Sequence, residues 1–336
     1  MPDQKRVLSC IQPTGELHLG NYFGAVKNWV DLQDKYRCFY GVVDYHAITM
    51  PYSAAKLRSQ TWDLIVDLVA VGIEPHNLFI QSLIPEHAEL CWIFNCFASF
   101  GHVNRMTQFK DKSKASSEKS QESFISVGLF DYPVLQAADI LIYKADYVPV
   151  GKDQDQHLEL TRAIADRFNH AAGKDYFVLP KTLHTDTPKI KSPADPTKKM
   201  SKSAGEKHYI GVYAEEARIT KQIKSAVTDT GDTTDGQMSA GVENLFELLR
   251  ASGGEGYDEL YLDFQNRSLK YSELKETVAA SLIKLTDGFK ERKAEIVEDK
   301  KALKYQIKEA SAAIRKEAQK TLAEVKDLSG LMNVKS

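Results

Sequence analysis

The chain has 336 residues, 43% hydrophobic and 27% charged, with a net charge of −2. That length can bury two domain cores, while the near-neutral charge excludes a dedicated non-specific nucleic-acid binder, so any RNA contact needs a local patch. The cysteines, Cys10, Cys38, Cys91 and Cys96, lack Cys-x-x-Cys spacing and none follows Cys96, which argues against a zinc or iron–sulfur framework; no protein-held metal is expected.

In chain order, Arg6 to Ile11 reads as a short buried strand and Gln12-Pro13-Thr14-Gly15 as a turn. A helix follows with Phe23, Val26, Trp29 and Val30 on one side. Cys38 to Val43 is a second strand, and Ala54 to Val71 an amphipathic helix stopped near Gly72 and Pro75. Leu78 to Gln81 is a third strand and Glu86 to Phe100 a helix, on which Cys91 and Cys96 read as packing residues beside Trp92 and Phe94. The polar stretch Gly101 to Ser123 breaks the alternation. Tyr132 to Tyr143 is then a helix, Tyr147 to Gly151 a strand, and a further helix opens at Asp153-Gln154-Asp155-Gln156-His157. Pro188, Pro193 and Pro196 mark a loop, beyond which the chain reads mostly helical, with breaks at Thr228 to Gly241 and Ala251 to Gly256.

Strand–helix alternation of this kind predicts an α/β fold: a Rossmann-like parallel sheet with helices on both faces, followed by a mostly α-helical C-terminal domain. The expected division is residues 1–190, then a helical domain over 191–294, with final helices over 295–336 returning to the first domain. No N-terminal apolar signal core and no run of membrane-spanning length is present in the sequence, and unpaired thiols fit a cytoplasmic setting with no membrane partner.

Two motifs carry chemistry. His18-Leu19-Gly20-Asn21 opens a helix after the first strand, where Gly15 and Gly20 let phosphate approach the backbone and the helix N-terminus favours an anion. Lys199-Met200-Ser201-Lys202-Ser203, far along the chain, offers two cations and a hydroxyl on a loop that reads as mobile. Together, in this order, they resemble the two nucleotide signatures of class I aminoacyl-tRNA synthetases. The longer runs Ser9-Cys10-Ile11-Gln12-Pro13-Thr14-Gly15, Gly151-Lys152-Asp153-Gln154, Asp195-Pro196-Thr197-Lys198-Lys199 and Ser225-Ala226-Val227-Thr228-Asp229 are similar to the tryptophanyl-tRNA synthetase family of bacterial or organellar type. The resemblance covers most of Arg6 to Thr230.

The resemblance implies a tryptophan–tRNA ligase that uses ATP with Mg²⁺. His18, Asn21, Lys112, Lys199, Ser201 and Lys202 then act on the phosphates. Gln12, Thr14, Gly20, Gly151, Asp153 and Met200 complete the ATP site. Tryptophan falls to Leu8, Gln12, His46, Tyr132, Gln136, Asp139, Val148, Val150 and Gln154. The resemblance further implies cognate tRNA as partner, read in the helical region, and a symmetric homodimer.

One residue bears on which side chain is read. Asp139 lies inside the apolar run Val134 to Leu141, where an unpartnered carboxylate is costly. Either the protein supplies a hydrogen bond, or a ligand does. Indole offers one N–H and no acceptor, so a fixed acceptor is its natural reader. Cys10, Gln136 and Lys152 depart from the family pattern. Gln136 and Asp139 also resemble the tyrosine-reading pair of the sister tyrosyl-tRNA synthetases, the first alternative. A small-molecule nucleotidyltransferase and a non-catalytic paralogue are the others. The excess of Lys and Arg after Lys290 reads either as a phosphate-contacting tail or as a solvated helix surface.

Overall fold

The structure is a computed structural model that describes residues 4–106, 125–149, 155–183, 188–229 and 237–333. Its strands are β1 (Arg6–Ile11), β2 (Arg37–Val42), β3 (Leu78–Ile80), β4 (Tyr147–Val148) and β5 (Lys181–Thr182). They form one parallel sheet in the order β3-β2-β1-β4-β5. The chain runs outward from β1 through β2 to β3, then returns to β4 on the other flank of β1. That reversal opens a crevice at the strand carboxyl ends, where ligands of such sheets bind.

Side chains alternate across the sheet, so neighbours on one strand enter different cores. Val7, Tyr40, Val42, Leu78 and Ile80 join one apolar cluster. Leu8, Phe39, Phe79 and Val148 join the other. Both faces are therefore covered, as a parallel sheet requires. Trp29 stacks on Tyr40 at 4.8 Å, and the Tyr40 hydroxyl donates to the Trp29 carbonyl, fixing the first crossover helix on the sheet.

That first helix is not uniform. It opens as Leu19–Asn21, widens into a π turn over Tyr22–Val26, and continues as Lys27–Leu32. The wider turn lets Tyr22, Phe23 and Val26 all bury, with Tyr22 edge-on to Phe289 at 5.0 Å. Helices Ala54–Ala70 and Glu86–Asn95 follow their strands. The predicted helix to Phe100 divides instead, because Ser99 is extended and starts a separate helix, Phe100–Asn104. Cys91 is buried but Cys96 and Trp92 are exposed, so only the first thiol is a packing residue.

The helix expected from Tyr132 begins earlier, spanning Val127–Ile142. Pro133 lies inside this helix. Ser126 supplies the N-cap, its hydroxyl accepting from the Leu129 N–H at 3.0 Å. The next helix is Asp155–Ala172. β5 had no counterpart in the sequence reading, being two residues long.

Later helices are Glu216–Lys224, Ala240–Ala251, Tyr257–Gln265, Tyr271–Glu298 and Lys300–Leu328. The core does not divide at residue 190. Ile219, Leu245, Leu248 and Leu282 share one cluster with Val26 and Leu64. Lys293 pairs with Asp67 at 2.6 Å, and Arg292 donates to the Ala70 carbonyl at 2.7 Å.

The last helix crosses the open edge of the sheet. Leu303 and Ile307 enter one core while Ile314, Ala318, Leu322 and Val325 enter the other. Ser311 accepts from the Ile80 N–H at 3.3 Å, so an edge-strand donor is satisfied by the covering helix. Arg315 bonds both oxygens of Glu86 at 2.9 Å, and Lys326 pairs with Glu89 at 2.9 Å. Several basic residues after Lys290 thus fasten the chain to itself. Among the described residues, no helix is long and apolar enough to cross a membrane.

Candidate active site

The two motifs meet at the end of β1. The Lys202 ammonium donates to the Thr14 carbonyl at 2.9 Å and the Glu16 carbonyl at 2.7 Å. The Gly20 amide donates to the Met200 sulfur at 3.2 Å. Residues about 180 positions apart in the chain are therefore in direct contact. Met200 is buried and belongs to the main core. The loop expected to be mobile is folded down in this structure, because an apolar Met and an ammonium both find partners there.

Its stem is held as well. Lys191 and Lys199 form an antiparallel bridge, and Ser192 N–H donates to the Lys198 carbonyl at 2.9 Å. Lys199 remains exposed, free to reach a ligand. Ser201 and Ser203 hydroxyls lie 2.9 Å apart. Burial lowers the Lys202 pKa from its ordinary value, the nearby Glu16 and Asp67 charges opposing that shift.

The helix-start amides are only partly available for phosphate. Leu19 N–H donates to the Ile210 carbonyl at 2.8 Å, and Asn21 N–H to the His18 carbonyl at 2.9 Å. Gly20 N–H alone rests on a thioether, a weak acceptor that a phosphate oxygen readily displaces. A Cβ at Gly20 would stand 3.0 Å from the Met200 Cβ and 3.1 Å from the His18 ring. A side chain there would press on Met200 and His18.

His18 is buried beside Tyr209, their rings 6.0 Å apart. Its Nδ1 accepts from the Asn21 N–H at 3.2 Å. The ring proton therefore sits on Nε2, which is left as a donor. Burial, then the charges of Lys202 and Lys199, lower its pKa to about 4. At neutral pH His18 is a neutral hydrogen-bond donor, not a cation.

This shift has a consequence for acid stability. The ordinary imidazole pKa is 6.5, so between that pH and about 4 the unfolded chain takes up a proton that the folded chain refuses. Stability is complete above pH 6.5 and falls by up to about 3 kcal/mol as pH drops through that window. Urea denaturation at pH 7 and pH 4.5 checks this. The loss is expected to shrink in His18→Asn; an equal loss would place the acid sensitivity elsewhere.

The second half of the site surrounds Asp139. It is buried, and its Oδ2 accepts from His46 Nε2 at 2.8 Å. Its Oδ1 accepts from Gln81 Nε2 at 2.8 Å and His87 Nδ1 at 2.6 Å. Burial alone would raise its pKa, but the bonds from His46 and His87 outweigh that and lower it to about 2. Asp139 is therefore an anion held by protein donors. The protein-bond alternative posed by the sequence is present, and one acceptor direction on Oδ2 remains beyond it.

Tyr132, on the same helix, places its hydroxyl 2.9 Å from His157 Nε2. Burial lifts the Tyr132 pKa to about 12, so the phenol keeps its proton. His157 is thus a buried partner of Tyr132. Leu8 and Val148 are buried, and Gln12 and Gln136 are half-buried. The Cys10 thiol faces Gly41 of β2, where a Cβ would stand only 2.9 Å from the sulfur. The larger residue at Cys10 is accommodated by that glycine. Burial and the Asp139 charge keep its thiol protonated.

Lys112, Val150, Gly151, Lys152, Asp153 and Gln154 lie outside the described residues. Sequence reasoning missed Gln81, His87 and Tyr143, which surround Asp139, and Glu16 with Tyr209 beside His18. The signal for His87 was a histidine on an otherwise apolar helix face; Gln81 gave none. Among the described residues, no group of three or more His, Cys, Asp or Glu is arranged to hold a metal ion.

A parallel sheet whose first strand leads through a turn to the His18 motif, with Lys202 bonded to that turn, has the fold of a class I aminoacyl-tRNA synthetase. The family of class I tRNA synthetases for W and Y matches residues 3–287. A tryptophan–tRNA ligase 2 of Streptomyces avermitilis is 43% identical, covering 99% of each chain. A tryptophan–tRNA ligase of Clostridium tetani is 42% identical, covering 98% of this chain and 97% of the relative. The solved tryptophanyl-tRNA synthetase of Campylobacter jejuni, complexed with ADP and tryptophan, superposes with a TM-score of 0.81 at 32% identity. It covers 97% of this chain and 100% of its own. An Archaeoglobus fulgidus tyrosyl-tRNA synthetase shares the fold with a TM-score of 0.66, at 19% identity over 86% of this chain and 90% of its own. The chain belongs to the tryptophan–tRNA ligase family.

Proposed function

We propose that this protein activates L-tryptophan with ATP and transfers it to its cognate tRNA. The tryptophan carboxylate oxygen attacks the α-phosphorus, the bond to the bridging oxygen breaks, and pyrophosphate leaves. A terminal ribose hydroxyl of the tRNA then attacks the adenylate carbonyl and AMP departs. The observation that carries this reading is Lys202 bonded to the turn before His18, which brings the two motifs together.

In this reading the neutral His18 donates from Nε2 to a phosphate oxygen, and Gly20 N–H exchanges its sulfur partner for another. Asn21 adds a side-chain donor. Lys199 and Lys202 meet the charge that develops on the departing pyrophosphate, helped by Ser201 and Lys112. Mg²⁺ accompanies the triphosphate and neutralises part of its charge. The donors around Gly20 are amides, an imidazole and an ammonium, which suit phosphate oxygens, so the nucleotide itself would hold that ion. Thr14, Met200, Gly151 and Asp153 complete the nucleotide contacts.

Asp139 accepts the indole N–H, with Leu8, His46, Gln136, Val148 and Val150 around the ring. Gln12, Tyr132 and Gln154 hold the ammonium and carboxylate. The enzyme is further read as a cytoplasmic homodimer. Supporting the dimer, helices Glu86–Asn95, Phe100–Asn104 and Val127–Ile142 expose Trp92, Phe100 and Val127, each more than 70% accessible.

The test is exchange of labelled pyrophosphate into ATP without tRNA, with tryptophan, tyrosine or no amino acid. Exchange with tryptophan alone is expected. Exchange with tyrosine would transfer the pair Gln136 and Asp139 to a phenol, and no exchange with either would remove the ligase reading.

A further inference from the structure

The Asp139 carboxylate is held by donors from three separate elements. His46 follows β2, Gln81 follows β3, and His87 lies on the helix Glu86–Asn95. Two of the three bonds fall on Oδ1, at 2.8 Å and 2.6 Å. An ionised carboxylate has about four acceptor directions, two per oxygen. Oδ1 is thereby filled, whereas Oδ2 takes His46 alone.

Each donor is itself fixed. Gln81 accepts from the Tyr45 N–H through Oε1 at 3.1 Å, which turns its Nε2 toward Asp139. His87 must carry its proton on Nδ1 to donate to a carboxylate. Its Nε2 stands 2.7 Å from the Tyr143 hydroxyl, which donates and so selects that tautomer. Phe79 stacks on the His87 ring at 5.6 Å, holding its plane. His87 and Tyr143 are buried behind Asp139.

We infer that His87 and Gln81 are positioning residues for amino-acid selection: by filling Oδ1 they leave Asp139 one acceptor direction, on Oδ2, for the substrate N–H. The inference rests on Asp139 as the indole acceptor. Neither residue need touch tryptophan. Their role is to fix which oxygen, and which lone pair, a ligand donor meets. A carboxylate free to rotate would accept the N–H less directionally and would separate substrates less sharply.

The experiment compares tryptophan with its benzothienyl isostere, in which sulfur replaces the indole N–H. The quantity read is the ratio of the two kcat/KM values in pyrophosphate exchange, which does not depend on the fraction of folded enzyme. His87→Leu and Gln81→Met are expected to lower that ratio about tenfold, the worth of one well-placed hydrogen bond. His87→Asn, whose amide N–H falls near the Nδ1 position, is expected to restore most of it. Tyr143→Phe should lower it less, since it removes only the tautomer selector. Gln81→Met and Tyr143→Phe keep the test available if His87→Leu does not fold.

Asp139→Asn is measured beside them. If it collapses the ratio while His87→Leu and Gln81→Met slow both substrates equally, the two residues are merely structural and the inference is overturned. If Asp139→Asn leaves the ratio unchanged, Asp139 does not read the N–H, and the inference falls with that reading.

Discussion

Lys202→Ala is expected to slow adenylate formation by about 10² to 10³-fold while changing the equilibrium affinity for tryptophan by less than about threefold. In the structure the ammonium rests on two backbone carbonyls, Thr14 and Glu16, on the turn that leads into His18. Those carbonyls orient the cation without neutralising it. In the proposed role, phosphate adds to the charges of Glu16 and Asp67, and its charge near Lys202 grows as pyrophosphate separates. An interaction that strengthens along the reaction lowers the barrier, whereas one of constant strength only tightens binding. Single-turnover formation of adenylate, set against tryptophan binding, separates these cases. A variant that lost tryptophan affinity but kept its single-turnover rate would mean that Lys202 holds the loop rather than the transition state.

The second large effect is expected at Asp139. Asp139→Asn replaces an anion that accepts from three donors by an amide with one acceptor oxygen and an NH₂ group. At least one of His46, Gln81 and His87 then faces a donor. Breaking a buried charged network by removing one partner costs about 3 to 5 kcal/mol, so the melting temperature should fall by about 10 °C. If Asp139 reads the indole N–H as proposed, the kcat/KM for tryptophan should fall by about 10²-fold or more, because the amide leaves fewer acceptors than donors. Differential scanning calorimetry and pyrophosphate exchange measure the two losses separately. Retention of both native values would show that Asp139 neither anchors the pocket nor reads the substrate.

The same residue shows why His18 and Asp139 respond oppositely to their surroundings. Both are buried. His18 meets cations and donors, so it stays neutral down to about pH 4. Asp139 meets only donors, so it stays charged down to about pH 2. His18 is thus a neutral group and Asp139 a fixed anion at neutral pH.

The sequence by itself determined the strand–helix alternation, and with it a parallel sheet covered on both faces. It also determined both nucleotide motifs and the carboxylate in the apolar helix. These are local signals: hydrophobic period, turn residues and short runs whose spacing fits within one element. Tertiary structure alone decided the rest. The helix read from Tyr132 starts at Val127 instead, because the Ser126 cap geometry depends on where the chain enters. Met200 turned a polar-looking loop into a packed one because its thioether reaches a core built by other elements. The last helix closed the sheet edge, a role its own amphipathic pattern does not name. Asp139 met Gln81, His87 and His46 across separations of 58, 52 and 93 residues. No periodic pattern links such distant positions. Their pairing follows from the order of strands in the sheet, which brings the ends of β2 and β3 to one helix and leaves a single acceptor direction open.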